Sequence, residues 1–335
     1  MTPRIAVAPG DPAGIGSELV VRLLANEANR RAADILLIAD RGELEEGMRI
    51  CGERFDYLVA QDPEHPTFTS GIPTLIDYRG RAELPFERAV STENGGRYAL
   101  DTLRRAIEFT VAGVTDAVCF TPLNKHSLHL GGMGHPDETH WFAEMLQPNG
   151  PYGELNALDG LWTSRVTSHV PHKDVADLLT EERIVGAIQL IHSTLVRVGV
   201  AEPRIALCGL NPHNGDNGSF GREEIDIIGP AIEAARKQGL PVIGMFPADT
   251  IFLKRKEFDA IVTMYHDQGQ IAMKLMGFER GVTVHGGMPI PIATPAHGTA
   301  FDIYGKGEAG HGAIQAAFDV ACRMALARRG VAQAA

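Results

Sequence analysis

Ala260-Ile-Val-Thr-Met-Tyr-His-Asp-Gln-Gly-Gln-Ile-Ala-Met-Lys274 is the stretch that decides the fold. It opens apolar and β-branched, as a buried strand does, and then runs into Tyr265-His266-Asp267-Gln268-Gly269. The strand therefore delivers an imidazole and a carboxylate at its end. In open α/β sheets, ligands bind outside the carboxyl ends of strands. Leu161-Trp-Thr-Ser-Arg-Val-Thr-Ser-His169 and Arg204-Ile-Ala-Leu-Cys-Gly-Leu-Asn-Pro-His213 share the same grammar. Three apolar runs thus each end in a histidine, and three imidazoles around an open position suit a catalytic divalent metal. With 13 histidines in the chain, no single one carries this reading. His65, His192 and His311 have no chemical context, whereas His169, His213 and His266 each follow a strand. They are too far apart in sequence to form a local metal motif, and the plain alternative is three hydrogen-bonded residues lining a cleft.

Around this stretch, apolar runs alternate with helical patterns. Strands are expected at Arg4–Pro9, Asp34–Ala39, Asp116–Phe120 and Pro241–Met245, with short ones at Tyr57–Ala60 and Thr74–Asp77. Helices are expected over Asn94–Val111, from Asp137 or Glu138 to Leu146, from a Thr180 cap to about Val198, over Glu223–Lys237, and over Ala313–Ala327. Asn149–Asp159 reads as a polar connection. This alternation predicts an α/β protein with a mostly parallel sheet. At 335 residues the chain is long enough for two domains. The Gly10-Asp-Pro-Ala-Gly-Ile-Gly-Ser-Glu18 turn can present backbone N–H groups to an anion, but its spacing is not GxGxxG. Its plain reading is a tight strand-to-helix turn.

A net charge of −11 argues against nucleic-acid or anionic-membrane surfaces. No apolar run approaches the roughly 20 residues of a membrane span, and the N-terminus lacks the long apolar stretch of a secretory leader. Cys51, Cys119, Cys208 and Cys322 form no CxxC pair, and Cys119 and Cys208 read as buried free thiols. A cytoplasmic setting is expected. Asp249 and Asp267 are candidate bases or partners of metal-bound imidazoles, with a helix cap as the plain alternative for each. Lys125 and Lys274 could bind substrate anions. His297-Gly-Thr-Ala-Phe-Asp-Ile-Tyr-Gly-Lys-Gly307 could wrap a nucleotide, or be an ordinary loop.

Gly10-Asp-Pro-Ala-Gly-Ile-Gly16, Gly209-Leu-Asn-Pro-His213, Pro247-Ala-Asp-Thr250 and Tyr265-His-Asp-Gln-Gly269 together resemble the 4-hydroxythreonine-4-phosphate dehydrogenase family of vitamin B6 biosynthesis. The likeness runs from about Ile5 to Arg328. It implies two α/β/α domains with a cleft between them, similar in fold to isocitrate and isopropylmalate dehydrogenases. The first domain would be 1–125 plus 285–335 and the second 126–284. It implies a homodimer with active sites at the interface, NAD or NADP, and one divalent metal (Zn, Mg, Mn or Co) on His169, His213 and His266, with His266 from the partner subunit. It places the adenosine on His297, Gly298, Thr299, Asp302 and Lys306. It places substrate contacts at Glu138, Thr139, Lys274 and Thr283, and the proton acceptor among Asp249, Lys125 and Asp267.

The family's Gly-His-Thr-Glu motif is replaced here by Glu138-Thr139-His140. Thr283 stands where the family has asparagine, and Ile292 where it has arginine. An isoleucine lacks the guanidinium fork that binds phosphate. The expected activity is therefore metal-dependent oxidation of a secondary alcohol near a carboxylate, with decarboxylation, on a non-phosphorylated substrate such as a dihydrodiol carboxylate or hydroxy acid. The alternatives are a 4-phosphohydroxythreonine dehydrogenase of vitamin B6 biosynthesis, a zinc hydrolase, and a non-catalytic binding protein on the same fold.

Overall fold

Arg4–Ala8 forms the first strand, β1, and the buried runs Asp34–Ala39 (β2), Thr74–Asp77 (β4) and Ala117–Phe120 (β5) follow it, with the short exposed strand Leu58–Val59 (β3) between β2 and β4 in sequence. The computed structural model describes residues 2–78 and 85–334. The chain divides into two units, Met1–Gln147 with Met288–Ala335, and Pro148–Gly287.

The first unit holds β1 to β5 and a later strand, Ile292–Pro295, in the order β3-β4-β2-β1-β5 and then Ile292–Pro295. Every pairing in it is parallel. The helix Glu93–Val111 is capped by the Thr92 hydroxyl, which accepts from the Gly95 N–H. It lays Leu100, Leu103, Ala106 and Ile107 on Ala6, Leu36, Val118 and Phe120. Those positions recur at helical spacing, which is why the helix was legible in sequence.

Residues 126–147 belong to this unit, not beyond it as the expected boundary had them. Their apolar side chains explain this: Leu128, Trp141 and Phe142 are buried in the same core. The helix Lys125–Leu130 also crosses Glu93–Val111 at closest range. A Cβ on Gly96 would lie 1.8 Å from the Ser127 carbonyl oxygen. Gly96→Ala is therefore expected to destabilise by at least about 1–3 kcal/mol, the usual cost of overpacking. An unchanged unfolding midpoint would contradict this packing.

The second unit adds Gly153–Leu158 (β6), Leu161–Arg165 (β7), Ile205–Cys208 (β8), Val242–Phe246 (β9), Ala260–Thr263 (β10) and Val282–Gly286 (β11). Ile292–Pro295 is β12. The order here is β11-β6-β7-β10-β8-β9. β7, β10, β8 and β9 are parallel, while β6 pairs antiparallel with both β7 and β11. β6 lies where a polar connection was expected, and the Asp159-Gly160 dipeptide turns it into β7 with φ of 49° and 92°. That dipeptide is a strong short hairpin signal. Helix Glu181–Arg197 is capped by the Thr180 hydroxyl, as its sequence predicts. The thiols of Cys119 and Cys208 are fully buried, and burial pushes Cys208 up to about 12. Both behave as core side chains.

Candidate functional site

β10 lies between β7 and β8 and is parallel to both, so the segments that follow these strands leave at one edge of the second unit. Those segments carry His169, His213 and His266. Hydrogen bonds from backbone and side chains join them. The Met264 carbonyl accepts from the Thr167 N–H at 3.1 Å and from the Thr167 hydroxyl at 2.9 Å. The Met264 N–H donates to Gln268 Oε1 at 2.7 Å, and the Gln268 amide donates to the Gly209 carbonyl at 2.8 Å. The chains leading to all three histidines are thus joined around Met264 and Gln268. Nothing in the sequence assigns either residue this linking role, because Gly209 and Thr167 lie 59 and 97 residues from their partners.

His266 is the first residue of the helix His266–Gly277. Its Nδ1 lies 2.7 Å from Asp267 Oδ1. That hydrogen bond, aided by His172 and Lys274, holds the Asp267 carboxyl below its ordinary range. Asp267 therefore orients an imidazole and does not cap the helix. The His169 and His266 rings have centroids 5.6 Å apart. His169 and His213 both have positive φ, at 47° and 55°, a conformation that clusters at functional sites.

This donor set has the chemistry of a divalent-metal site, imidazoles with a carboxylate on the second ring nitrogen. The 5.6 Å ring separation suits two ligands of one ion. Among the described residues, however, no group of three or more His, Cys, Asp or Glu side chains closes on one point. A single chain brings His169 to His266, while His213 lies beside Phe220, ring to ring at 6.5 Å.

Asp249 is exposed on the short helix after β9. β9 is parallel to β8, so Asp249 leaves the same edge as His213. Lys274 is exposed on the His266 helix. The Thr283 hydroxyl, on β11, accepts from the Asn156 amide at 3.2 Å. The Asn156 carbonyl oxygen accepts from Arg165 at 2.9 Å and from Gln270. Arg165 also donates to Glu154 at 2.5 Å and to the Ser168 hydroxyl at 2.9 Å. A polar chain thus leads from Thr283 to the neighbour of His169.

The remaining candidates lie in the first unit, where β1, β5 and β12 are parallel neighbours. The glycine-rich turn after β1 meets the segment after β12, and the Ile15 N–H donates to the Thr299 carbonyl at 3.1 Å. The Asp11 N–H donates to the Pro122 carbonyl, also at 3.1 Å. Two residues that the sequence did not flag hold the His297–Gly307 loop: Glu18 accepts from the Gly305 N–H at 2.9 Å, and Arg22 donates to the Gly307 carbonyl. His297 Nδ1 lies 2.9 Å from the Gly298 carbonyl, and Gly298, Asp302 and Lys306 are exposed.

Lys125 is exposed at the start of its helix. Burial would raise Asp137, but hydrogen bonds from the His140 N–H and ring, with the Lys125 charge nearby, lower it. Glu138 and Thr139 begin the next helix, and Glu138 Oε2 is buried with no hydrogen-bond partner. Ile292 is fully buried in the first unit's core.

Among the described residues, no helix is long and apolar enough to cross a membrane. A Pseudomonas aeruginosa protein provisionally named 4-hydroxythreonine-4-phosphate dehydrogenase 2 is 58% identical over 326 residues, covering 96% of this chain and 97% of the relative. The D-threonate 4-phosphate dehydrogenase of Cupriavidus necator is 39% identical over 311 residues, covering 91% and 92%. The crystal structure of 4-hydroxythreonine-4-phosphate dehydrogenase from Klebsiella pneumoniae superposes with a TM-score of 0.85 at 34% identity, covering 97% of this chain and 98% of that one. The family model for pyridoxal phosphate biosynthetic protein PdxA matches residues 31–321. With that match spanning most of the chain, and with near-complete coverage by these dehydrogenases, the chain belongs to the PdxA family.

Proposed function

We propose that the protein oxidises the secondary alcohol of a small hydroxy acid, passing hydride to NAD or NADP, with a divalent metal held by His169, His213 and His266. The observation that carries this reading is the approach of the His169 and His266 rings to 5.6 Å, with Asp267 on the second nitrogen of His266. When bound, the metal would supply Lewis acidity, which favours loss of the alcohol proton and the electron flow of a decarboxylation. Asp249, exposed at the same edge, is the first candidate to take that proton, and Lys125 the second. Asp267 keeps the His266 ring turned. In the second unit, Lys274 is the cation and Thr283 the hydroxyl offered to the acid. The His297–Lys306 loop, held by Glu18 and Arg22, takes the adenosine end of the cofactor. A homodimer is supported by the helix that His266 begins. Ile271 and Leu275 on it, and Phe278 just beyond, are 60%, 84% and 52% exposed, more apolar surface than a solvated helix face needs. The family gives the zinc hydrolase alternative no support.

For the substrate, we favour a hydroxy acid with a terminal phosphate. The relatives above are named for phosphorylated substrates, and the Cupriavidus necator enzyme for a phosphorylated hydroxy acid. The second reading is the unphosphorylated acid expected from sequence. Ile292 favours it, because a fully buried isoleucine offers the phosphate nothing. A phosphate carries about two charges near neutral pH, and each charge-assisted contact contributes about 1.5–3 kcal/mol. One missing contact weakens phosphate binding without abolishing it while Lys274 remains. D-Threonate 4-phosphate is expected to exceed every unphosphorylated hydroxy acid and dihydrodiol in kcat/KM by at least about tenfold, the worth of one such contact. If an unphosphorylated acid leads instead, the inference from the relatives is wrong and the one from Ile292 is right.

A further inference from the structure

The loop that presents His213 is built around one buried carboxylate. After β8 the chain passes through Asn211-Pro212 into His213–Asn217, five consecutive residues with φ of 55°, 55°, 77°, 43° and 54°. Only Gly215 among them is glycine. The left-handed region is costly for residues with a Cβ, and asparagine or aspartate normally visits it singly. A run of this kind persists only where its surroundings over-determine it.

Glu224, 3% exposed, lies at the centre of those surroundings. Its Oε1 accepts from the Leu210 N–H at 2.8 Å and the Asn211 N–H at 2.7 Å, and its Oε2 accepts from the Asn211 amide at 3.0 Å. The next carboxylate, Glu223, accepts from the same amide at 2.6 Å. The loop closes over Glu224 so tightly that a Cβ on Gly215 would lie 2.7 Å from Oε2. At its base the Gly209 N–H donates to the Phe246 carbonyl at 2.9 Å, and the Gly209 carbonyl is held by Gln268. The base of the loop is therefore fixed to the His266 segment through Gly209 and to Glu224 through Leu210 and Asn211, and its left-handed run closes over the same carboxylate at Gly215.

We infer that Glu224 is the positioning residue for His213, a fixed anion that holds the loop in the shape that presents the imidazole. This rests on the reading of His213 as a metal ligand. Glutamine at 224 would keep the size but turn an NH2 group toward N–H donors. Aspartate would keep the charge but fall short of one donor.

The test uses the full-length chain, stripped of metal by chelator, as wild type, Glu224→Gln, Glu224→Asp, Glu224→Ala and His213→Ala. Each is titrated with Co(II) by visible absorption, and thermal unfolding of the metal-free protein is recorded alongside. Glu224→Gln is expected to bind Co(II) about 10–100-fold more weakly, the scale found for groups that orient metal ligands. Glu224→Asp should recover part of the loss, and metal-free Glu224→Gln should keep a cooperative transition. A merely structural role would lower the unfolding temperature and leave Co(II) affinity of the folded protein unchanged. Wild-type affinity in Glu224→Gln, with affinity lost in His213→Ala, overturns the role of Glu224 and leaves the metal reading standing. No Co(II) uptake by the wild type overturns both. Loss of the cooperative transition in both Glu224→Gln and Glu224→Asp makes Glu224 a folding residue and also overturns the proposal.

Discussion

His169→Ala, His213→Ala and His266→Ala are each expected to lose bound metal and to lower kcat by at least about a hundredfold to a thousandfold, the scale of removing one electrostatic stabiliser from an active site. An open catalytic site has few protein ligands to spare. Removing one of three leaves the ion with partners that water can displace. His65→Ala is the control: that imidazole is exposed and lies 3.0 Å from Asp62. It should keep wild-type metal content and rate. Elemental analysis decides the matter separately from activity. Full metal in all three site variants would remove the histidines from the metal reading, whatever happened to the rate.

The second large effect is recovery, not loss. If the site is shared between subunits, two histidines come from one chain and the third from its partner. Of the three pairwise mixtures of alanine variants, two should then regain activity. In each mixed dimer one site carries both lesions and the other none. With half the dimers mixed and one site in two intact, recovery reaches about a quarter of the wild-type rate. The mixture that stays inactive names the two histidines that share a chain. The family resemblance gives His266 as the crossing residue. The 5.6 Å approach of His169 to His266 within one chain argues for His213 instead, so the His169→Ala plus His266→Ala mixture is the one expected to stay inactive. No recovery in any mixture, with subunit exchange demonstrated, would place the whole site in one subunit.

What the sequence revealed follows from how local each signal is. β1, β2, β8 and β10 stood out as unbroken apolar runs, because strands buried on both faces need them. The helix after Thr180 stood out through its cap and its spacing. β6 did not: Gly153–Leu158 was hidden by the glycines, prolines and polar residues around it, although Asp159-Gly160 marked its hairpin. β11 and β12 are short and surrounded by glycine and proline. The three histidines were visible because each ends an apolar run. Glu224, Gln268 and Thr167 were not, since what each holds lies 13 to 14, 59 and 97 residues away. A carboxylate at a helix start looks like any other until the loop it anchors is seen around it. His266 was expected at a strand end and instead opens a helix, and Asp267, read as a base or an imidazole partner with a cap as the alternative, lies against its ring.

The most direct test of the central claim is a cofactor-reduction assay on chelator-treated protein. D-Threonate 4-phosphate, 4-phosphohydroxythreonine and their unphosphorylated analogues are each offered with NAD and with NADP, before and after a divalent metal is restored. The account predicts reduced cofactor with at least one of these alcohols, dependent on the metal and absent from His169→Ala, His213→Ala and His266→Ala. Turnover that persists undiminished without metal and in those variants would contradict it.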